Sequence, residues 1–362
     1  MLFPIVASAV SIAVFITFVH ILEPNGIYNY FFGKKFNPAT DIPDLNGKVI
    51  LVTGGKSQSI DSYTYHAVSH IRKGNTGLGY ETILHLASRN PKEIFMAARD
   101  PGKAAAAIKK IQATHPSVKI THLPLDLTSI PSIKSAATDF TSRSQRLDIL
   151  INNAGVMALP YSQTSSGHEI QLGINHLGHA ALTKLLLPTL LRTAEESSSD
   201  VRIVNLSSIG QYFSYMIPFS KGLVLDAKTA KDIPTFARYG GAKLANLLHA
   251  RGLRQQYPQI TAVACHPGII DTGLWTAFRR IYDTIPGSRI VVEAVLGLFF
   301  ETPETGSWNT VWCATAPREV VREGYYYTPV GVSCQGCFFA RDQGNVDRLW
   351  RWTERELERV GV

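Results

Sequence analysis

The chain has 362 residues, 45% of them hydrophobic, which is enough to build one large α/β domain or two small ones. Its net charge of +8 would suit a nucleic-acid-binding protein, but the Lys and Arg residues are scattered rather than clustered. We therefore expect no nucleic-acid partner, and a positive charge that suits a position near anionic lipid.

The N-terminal segment predicts a membrane anchor. Residues 1–22 contain no Asp, Glu, Lys or Arg, and the run is long enough to cross a hydrocarbon core as a helix. The basic start of a cleaved signal peptide is absent. We predict one transmembrane signal anchor over 1–23 and a linker over 24–45. Lys34 and Lys35 place the rest of the chain on the cytosolic side, in a single-pass protein of the endoplasmic reticulum.

Residues 46–362 predict a single domain, in which strands and helices alternate. This alternation indicates a Rossmann-type α/β fold, a doubly wound parallel sheet of about seven strands with helices on both faces. The predicted strands lie at 48–53, 93–98, 119–124, 148–152, 201–206, 262–266 and 325–327, and the main helices at 101–115, 130–141, 167–192, 236–256 and through 349–352.

A glycine segment follows the first strand, and it is interrupted. Residues 52–55 read Val-Thr-Gly-Gly, a polar segment fills 56–74, and Asn-Thr-Gly-Leu-Gly follows at 75–79 before a helical pattern. Glycine permits the tight turn and the close approach of a phosphate, which the helix N-terminus then binds. We predict a phosphate-binding turn formed by Gly54, Gly77, Leu78 and Gly79. The strand and the helix should stay in place around the insertion, because their packing faces are unchanged.

Three explanations of the 56–74 segment compete. The codons of Gly55 to Ser57 can contain a splice donor and the segment keeps the reading frame, which favours a retained intron. A true surface insertion is the second explanation, since loops tolerate added length. The third is a ligand function for His66 and His70, which have helical i, i+4 spacing. A third ligand is absent, so we predict no metal site.

The remaining candidate residues follow the later strands. Ala98-Arg99-Asp100 ends the second strand, Asp126 follows the third, and Asn152-Asn153-Ala154-Gly155 follows the fourth. Ser207 and Ser208 follow the fifth strand, and Pro-Gly at 267–268 follows the sixth. On the helix between them, Tyr239 and Lys243 are four residues apart, so phenol and ammonium share one face. A nearby ammonium and a cofactor cation should lower the pKa of the phenol.

With 56–74 removed, the glycine segment becomes the TGxxxGxG loop of the short-chain dehydrogenase/reductase family. The chain resembles that family from about Leu45 to its C-terminus, through this loop, the Asn-Asn-Ala-Gly segment and the YxxxK pair of Tyr239 and Lys243. The Ala-Arg-Asp tip, the Asn-His-Leu-Gly-His segment at 175–179 and the long 211–234 loop are similar to the retinol-dehydrogenase-like branch.

The resemblance implies the following roles. Tyr239 would be the acid–base group, Lys243 would bind the nicotinamide ribose, Ser208 would hold the reacting oxygen and Asn175 would hold a water of the proton relay. Asp126 would flank the adenine of the cofactor, and Asn153 and Thr272 would also contact the cofactor. Arg99 suits the 2′-phosphate of NADP(H), because guanidinium donates in a planar fork. Asp100 is a competing acid one residue later.

The expected activity is hydride transfer between NADP(H) and a lipophilic alcohol, aldehyde or ketone, at a bilayer. The apolar run 291–300 is expected to be a wall of the substrate pocket. A homodimer is left open. The rival interpretation is a catalytically silent, membrane-tethered protein of the same fold, with a disrupted phosphate loop.

Overall fold

The computed structural model describes residues 36–54, 77–196, 199–216, 223, 225–270 and 301–362. In these ranges eight strands form one sheet: β1 (Val49–Thr53), β2 (Glu93–Ala98), β3 (Ile120–Pro124), β4 (Ile149–Asn152), β5 (Arg202–Leu206), β6 (Thr261–Cys265), β7 (Tyr326–Thr328) and β8 (Val332–Ser333). Their order across the sheet is β3-β2-β1-β4-β5-β6-β7-β8. All pairs are parallel except the last.

The described helices connect these strands or cover the sheet. They are α1 (Pro38–Asp41), α2 (Leu78–Ala87), α3 (Pro101–Thr114), α4 (Ile130–Arg143), α5 (Ile170–Leu172), α6 (Gly178–Glu195), α7 (Ala227–Ala230), α8 (Thr235–Gln256), α9 (Pro303–Thr315), α10 (Arg318–Arg322), α11 (Phe338–Arg341) and α12 (Gln343–Arg359). A π-helical turn, Gly173–Leu177, joins α5 to α6, and a 3₁₀ helix, Ile209–Met216, follows β5.

The sheet buries apolar side chains on both faces. Along β1, Val49 and Leu51 join one core cluster, whereas Ile50 and Val52 join the other. Successive side chains of a strand point to opposite faces, so a continuous apolar run suits a strand that is covered on both sides. The predicted parallel sheet with helices on both faces is confirmed.

Two details differ from the sequence prediction. The two-residue strand β8 was not predicted, because it is too short to show an alternating pattern and follows a turn in which Gly331 has a φ of +68°. The predicted helix 167–192 begins only at Ile170. Gly167 lies in a turn with a φ of +85°, and the helix widens at the π-helical turn.

The segment predicted as a linker is partly packed into the domain. Phe36, Ile42 and Leu45 are buried in the core cluster that contains Ile50. The predicted anchor, 1–23, lies outside the described residues. Within the ranges given above, no helix combines the length and the apolar character needed to cross a membrane.

Candidate active site

The ends of three neighbouring strands gather several of the predicted site residues at one edge of the sheet. Strands β1, β4 and β5 are adjacent and parallel, and they end at Thr53, Asn152 and Leu206. The residues that follow them therefore lie along the same edge: Gly54, Asn153, Ser207 and Ser208. In open α/β sheets, ligands bind outside this carboxyl edge.

The glycine turn and the start of α2 are packed together at this edge. Gly54 has a φ of +72°, and a Cβ at this position would lie 2.8 Å from the Ala154 Cα. A Cβ on Gly79 would lie 2.6 Å from Asn153 Nδ2. That amide nitrogen donates to the carbonyls of Thr53 (2.7 Å) and Gly54 (3.2 Å). Strand and helix are thus held together although 55–76 separates them in sequence, as predicted.

The first turn of α2 has backbone donors that no side chain caps. Its N-cap is Gly77, which has no side chain to accept the N–H groups of the first turn. These groups and the positive end of the helix dipole suit a phosphate. The residues present therefore fit a dinucleotide pyrophosphate, which Gly54, Gly77, Leu78 and Gly79 would surround. The interruption, with Gly55, His66 and His70, lies outside the described residues.

Two charged residues at the end of β2, Arg99 and Asp100, could contact an adenosine ribose. They differ in exposure and in hydrogen bonding. Asp100 is the N-cap of α3, where its Oδ1 accepts from the Lys103 N–H at 2.8 Å. This backbone hydrogen bond is the main cause that lowers the pKa of the Asp100 carboxyl. Arg99 is exposed. The Asp100 carboxylate, which could compete for a ribose hydroxyl, therefore caps the N-terminus of α3.

Asp126 closes a short turn after β3. Its Oδ1 accepts from the backbone N–H of Thr128 at 2.9 Å and from the Thr128 hydroxyl at 2.7 Å. The Asp126 N–H donates to Ser132 Oγ at 2.9 Å. The carboxyl group thus orders the loop that ends β3, and its second oxygen is left for another donor.

Tyr239 and Ser208 lie close together at this edge of the sheet. Tyr239 is buried on α8, and its ring lies against Gly210 together with the Ser208 Oγ, which follows β5. The Ser208 Oγ also accepts from the Gly210 N–H at 3.0 Å. Lys243 lies one turn further along the same helix, with its Nζ 5.8 Å from the centroid of the Tyr239 ring.

The expected low pKa of the phenol is not found in the protein alone. Burial raises the pKa of Tyr239 to about 12, which outweighs the lowering by the Ser208 hydrogen bond. Burial also lowers the pKa of Lys243 to about 8. The sequence argument considered only the charges of the ammonium and of a bound cofactor. It did not include the desolvation that both groups undergo at this edge.

Asn175 lies in the π-helical turn, and its side chain is fully buried. Its Oδ1 accepts from the Val156 N–H at 2.8 Å, and its Nδ2 donates to the Val156 carbonyl at 2.9 Å. A Cβ on Gly155 would lie 3.1 Å from Asn175 Oδ1 and 3.4 Å from Lys243 Nζ. Asn175 and Lys243 thus lie against the same glycine.

Several residues that support the pair were not predicted. A Cβ on Gly210 would lie 2.6 Å from the Tyr239 ring, and one on Gly240 would lie 2.7 Å from the Gly210 carbonyl. The Leu206 carbonyl accepts from both Lys243 Nζ (3.0 Å) and Asn246 Nδ2 (2.8 Å). The two glycines within Tyr-Gly-Gly-Ala-Lys are the signal that could have revealed the close contact of α8.

Ser207 has a different environment from Ser208. Its Oγ donates to the Lys243 carbonyl at 2.8 Å, which holds α8 against β5. Of the other predicted residues, Thr272 and the 291–300 segment lie outside the described residues. In the part of the chain that is described, no cluster of three or more His, Cys, Asp or Glu side chains could hold a metal ion.

Known proteins are similar to this chain in both sequence and fold. A family model described as short chain dehydrogenase matches residues 71–219. The short-chain dehydrogenase/reductase drtF of Aspergillus calidoustus is 34% identical over 333 residues, 88% of this chain and 96% of that protein. Retinol dehydrogenase 12 of Homo sapiens is 31% identical over 341 residues, 93% of each.

Among solved structures, L-sorbose reductase from Gluconobacter frateurii, complexed with NADPH and L-sorbose, has a TM-score of 0.56. The alignment covers 81% of this chain and 98% of that one at 16% identity, which shows a common fold and no more. The extended sequence matches, together with the parallel sheet and the Ser208–Tyr239 contact, identify the family. The chain belongs to the short-chain dehydrogenase/reductase family.

Proposed function

We propose that the chain is an NADP(H)-dependent oxidoreductase that interconverts a lipophilic alcohol and its aldehyde or ketone. The observation that carries this proposal is the buried Tyr239 ring, which lies beside the Ser208 hydroxyl and the Lys243 ammonium at the carboxyl edge of the sheet. A nicotinamide cofactor supplies or accepts the hydride when it is bound. The residues of the chain then have to orient the substrate oxygen and move one proton.

Tyr239 is the proposed proton carrier. In reduction its phenol gives a proton to the substrate oxygen, and in oxidation the phenolate takes that proton back. The raised pKa of the phenol, about 12, keeps the proton in place before substrate arrives, which is the state that carbonyl reduction requires. Ser208 would hold the same substrate oxygen through its hydroxyl, which already lies at the phenol.

Lys243 and Asn175 would complete the proton path and the cofactor site. The ammonium of Lys243 favours phenolate over phenol, and its donors suit a ribose hydroxyl. Asn175 uses one N–H and one lone pair of its amide on Val156. The remaining N–H and lone pair of this amide are the groups that would hold a relay water beside Lys243.

Arg99 supports a preference for NADP(H) over NAD(H). It is exposed at the end of β2, where the adenosine ribose binds in this type of sheet. Asp100 Oδ1 accepts from the Lys103 N–H at the N-cap of α3, and its Oδ2 lies 3.5 Å from Lys103 Nζ, so both carboxylate oxygens already face a donor of that helix. Asp126, Asn153 and Thr272 would make the other cofactor contacts.

A lipophilic substrate and a membrane position are supported by three features. The segment 1–23 is apolar throughout. Tyr215 and Met216, at the end of the 3₁₀ helix that follows Ser208, are 44% and 53% exposed. A relative over 93% of the chain is named a retinol dehydrogenase. We infer a single-pass protein of the endoplasmic reticulum that faces the cytosol. Removal of 1–23 should then leave the protein in the supernatant after alkaline extraction of membranes.

The test of the proposed activity is NADPH consumption by the detergent-solubilised full chain, with a panel of long-chain aldehydes and short polar ketones. We expect turnover of the long-chain aldehydes and at least about tenfold less with polar ketones, since a methylene group contributes up to a few kcal/mol. Ser208→Ala is the control. Binding of NADPH without turnover of any carbonyl compound would contradict the proposal and favour the silent protein.

A further inference from the structure

His179 lies at the start of α6, one helical turn after Asn175, and it is buried. Both of its ring nitrogens have partners. Nδ1 lies 3.0 Å from the backbone carbonyl of Asn175, and Nε2 lies 2.8 Å from the hydroxyl of Thr53. A carbonyl can only accept, so the ring proton must be on Nδ1, and Nε2 accepts from the Thr53 hydroxyl. Burial lowers the pKa of His179 to about 4, which keeps the ring neutral.

The Thr53 hydroxyl is the centre of this arrangement. It accepts from the backbone N–H groups of Asn153 (2.9 Å) and Ala154 (3.0 Å). Its single proton has two acceptors within reach, His179 Nε2 at 2.8 Å and the Ile151 carbonyl at 3.5 Å, and the shorter contact is the stronger bond. All hydrogen-bonding groups of the hydroxyl are therefore used, and the orientation of its proton depends on the His179 ring.

These contacts join three parts of the candidate site. Thr53 precedes Gly54, whose backbone contacts Ala154. Asn153 and Ala154 form the turn that ends β4, and Asn153 holds Gly54 and Gly79 together. Asn175 lies in the π-helical turn, where its side chain holds Val156. One imidazole thus connects the phosphate turn, the turn after β4 and the backbone of Asn175.

We propose that His179 is a positioning residue for the hydride transfer inferred above, which it serves by fixing the Thr53 hydroxyl and the Asn175 carbonyl relative to each other. It touches neither the substrate nor the cofactor in this role. The inference rests on the proposed function for its effect on turnover. The effect of His179 on the geometry of the phosphate turn and of the turn after β4 does not depend on that function.

If His179 only filled space in the core, its hydrogen bonds would not matter to the site. An aromatic ring of similar size could then replace the imidazole without an effect on cofactor binding or turnover. In the arrangement described here, such a ring leaves the Thr53 proton with only the Ile151 carbonyl at 3.5 Å and removes the imidazole donor from the Asn175 carbonyl, which costs more than lost packing. Substitutions that separate shape from hydrogen bonding therefore test the proposal.

The test compares His179→Phe, which keeps a ring but loses both bonds, with His179→Gln, whose amide oxygen can accept from Thr53. We expect His179→Phe to weaken NADPH binding about tenfold and to lower kcat by about tenfold or more, as loss of one or two buried hydrogen bonds implies. KM for the carbonyl substrate should change by less than about threefold, and His179→Gln should recover part of the loss.

The control is His176→Phe. This residue is also buried in the π-helical turn, but its Nε2 is 2.9 Å from the Thr353 hydroxyl of α12, on a different part of the protein. His176→Phe should lower the thermal stability of the protein and change its NADPH affinity by less than about twofold relative to wild type. Thr53→Val should reproduce the His179→Phe loss, and the double variant should add little, because both remove the same bond.

Hydrogen exchange gives a readout that needs neither cofactor nor turnover. The amides of Asn153, Ala154 and Val156 should exchange faster in His179→Phe and Thr53→Val than in wild type or His176→Phe. Unchanged exchange and unchanged NADPH affinity in both variants would overturn the proposal, even if the wild-type enzyme is active. An inactive wild type with faster exchange in the variants would contradict the proposed function and leave the positioning by His179 supported.

Discussion

Lys243 and Leu206 are joined by a hydrogen bond of 3.0 Å, in which the buried Lys243 Nζ donates to the carbonyl at the end of β5. The same carbonyl accepts from Asn246, so the ammonium shares its acceptor. A shared neutral acceptor offsets only part of the desolvation of the charge. This explains why burial, rather than a missing contact, sets the pKa of Lys243.

The first prediction concerns stability against pH. Burial lowers the pKa of Lys243 from 10.5 to about 8, so the unfolded chain binds more protons than the folded protein between these values. The free energy of unfolding should therefore rise with pH in this window. Tyr239, whose pKa burial raises to about 12, acts in the opposite direction only above pH 10. Relative to Lys243→Met, wild type should gain about 2 kcal/mol between pH 8 and 10. If urea unfolding gave the same pH dependence of the unfolding free energy for wild type and Lys243→Met, the prediction would be contradicted.

Replacement of Tyr239 by Phe should remove the transferable proton and leave the shape of the site. We expect kcat to fall by about 10²–10⁴-fold, the usual contribution of general acid–base catalysis, with NADPH affinity nearly unchanged. Tyr257→Phe is the matched control, because Tyr257 lies at the other end of α8. Near-normal turnover by the Tyr239 variant would exclude the proton-transfer role.

Gly210→Ala should displace the Tyr239 ring. The added Cβ would lie 2.6 Å from Cε1 and 3.0 Å from Cδ1 of that ring, closer than atoms can approach. We expect kcat to fall by about 10–100-fold, since small misplacements of a reacting group are costly. Gly102→Ala, where the nearest atom is 3.6 Å away, is the control. Equal rates for both variants would show that the ring position does not limit turnover.

Replacement of Arg99 by Ala tests the cofactor preference. If its guanidinium binds the 2′-phosphate, NADPH should bind about 10–100-fold more weakly, and NADH should change by less than about twofold. Arg143→Ala, which removes an Arg on α4 paired with Asp139, controls for net charge. Equal losses for both cofactors in titrations would mean that Arg99 does not contact the 2′-phosphate.

The sequence alone predicted the strands and which residues follow them, because buried parallel strands are continuous apolar runs. The positions of Tyr239, Lys243 and Ser208 followed from helical spacing and strand ends. The π-helical turn at Asn175 could not be predicted, since 173–177 reads as ordinary helix. The bond from His179 to Thr53 joins residues 126 positions apart, and only the folded chain shows it. The raised pKa of Tyr239 likewise depends on burial, which composition does not give.

The last prediction concerns the 56–74 segment, whose origin the sequence left open between a retained intron and a true insertion. On its two sides, Gly54 and Gly79 remain packed through Asn153. The domain should therefore fold with the segment present. The phosphate turn, however, also needs the backbone between Gly54 and Gly77 to close tightly over the helix N-terminus.

A long polar segment at that point should displace one side of the turn or cover it. Loss of two or three N–H contacts to phosphate, at about 1.5–3 kcal/mol each, weakens a cofactor by orders of magnitude. We therefore expect the chain as written to bind NADPH poorly, and deletion of 56–74 to restore tight binding and activity. NADPH titration of both purified forms is the measurement, and a form with a Gly/Ser segment of equal length separates the effect of length from that of sequence. Equal affinities with and without 56–74 would show that the segment is an accommodated loop, and would remove the main reason to suspect a retained intron.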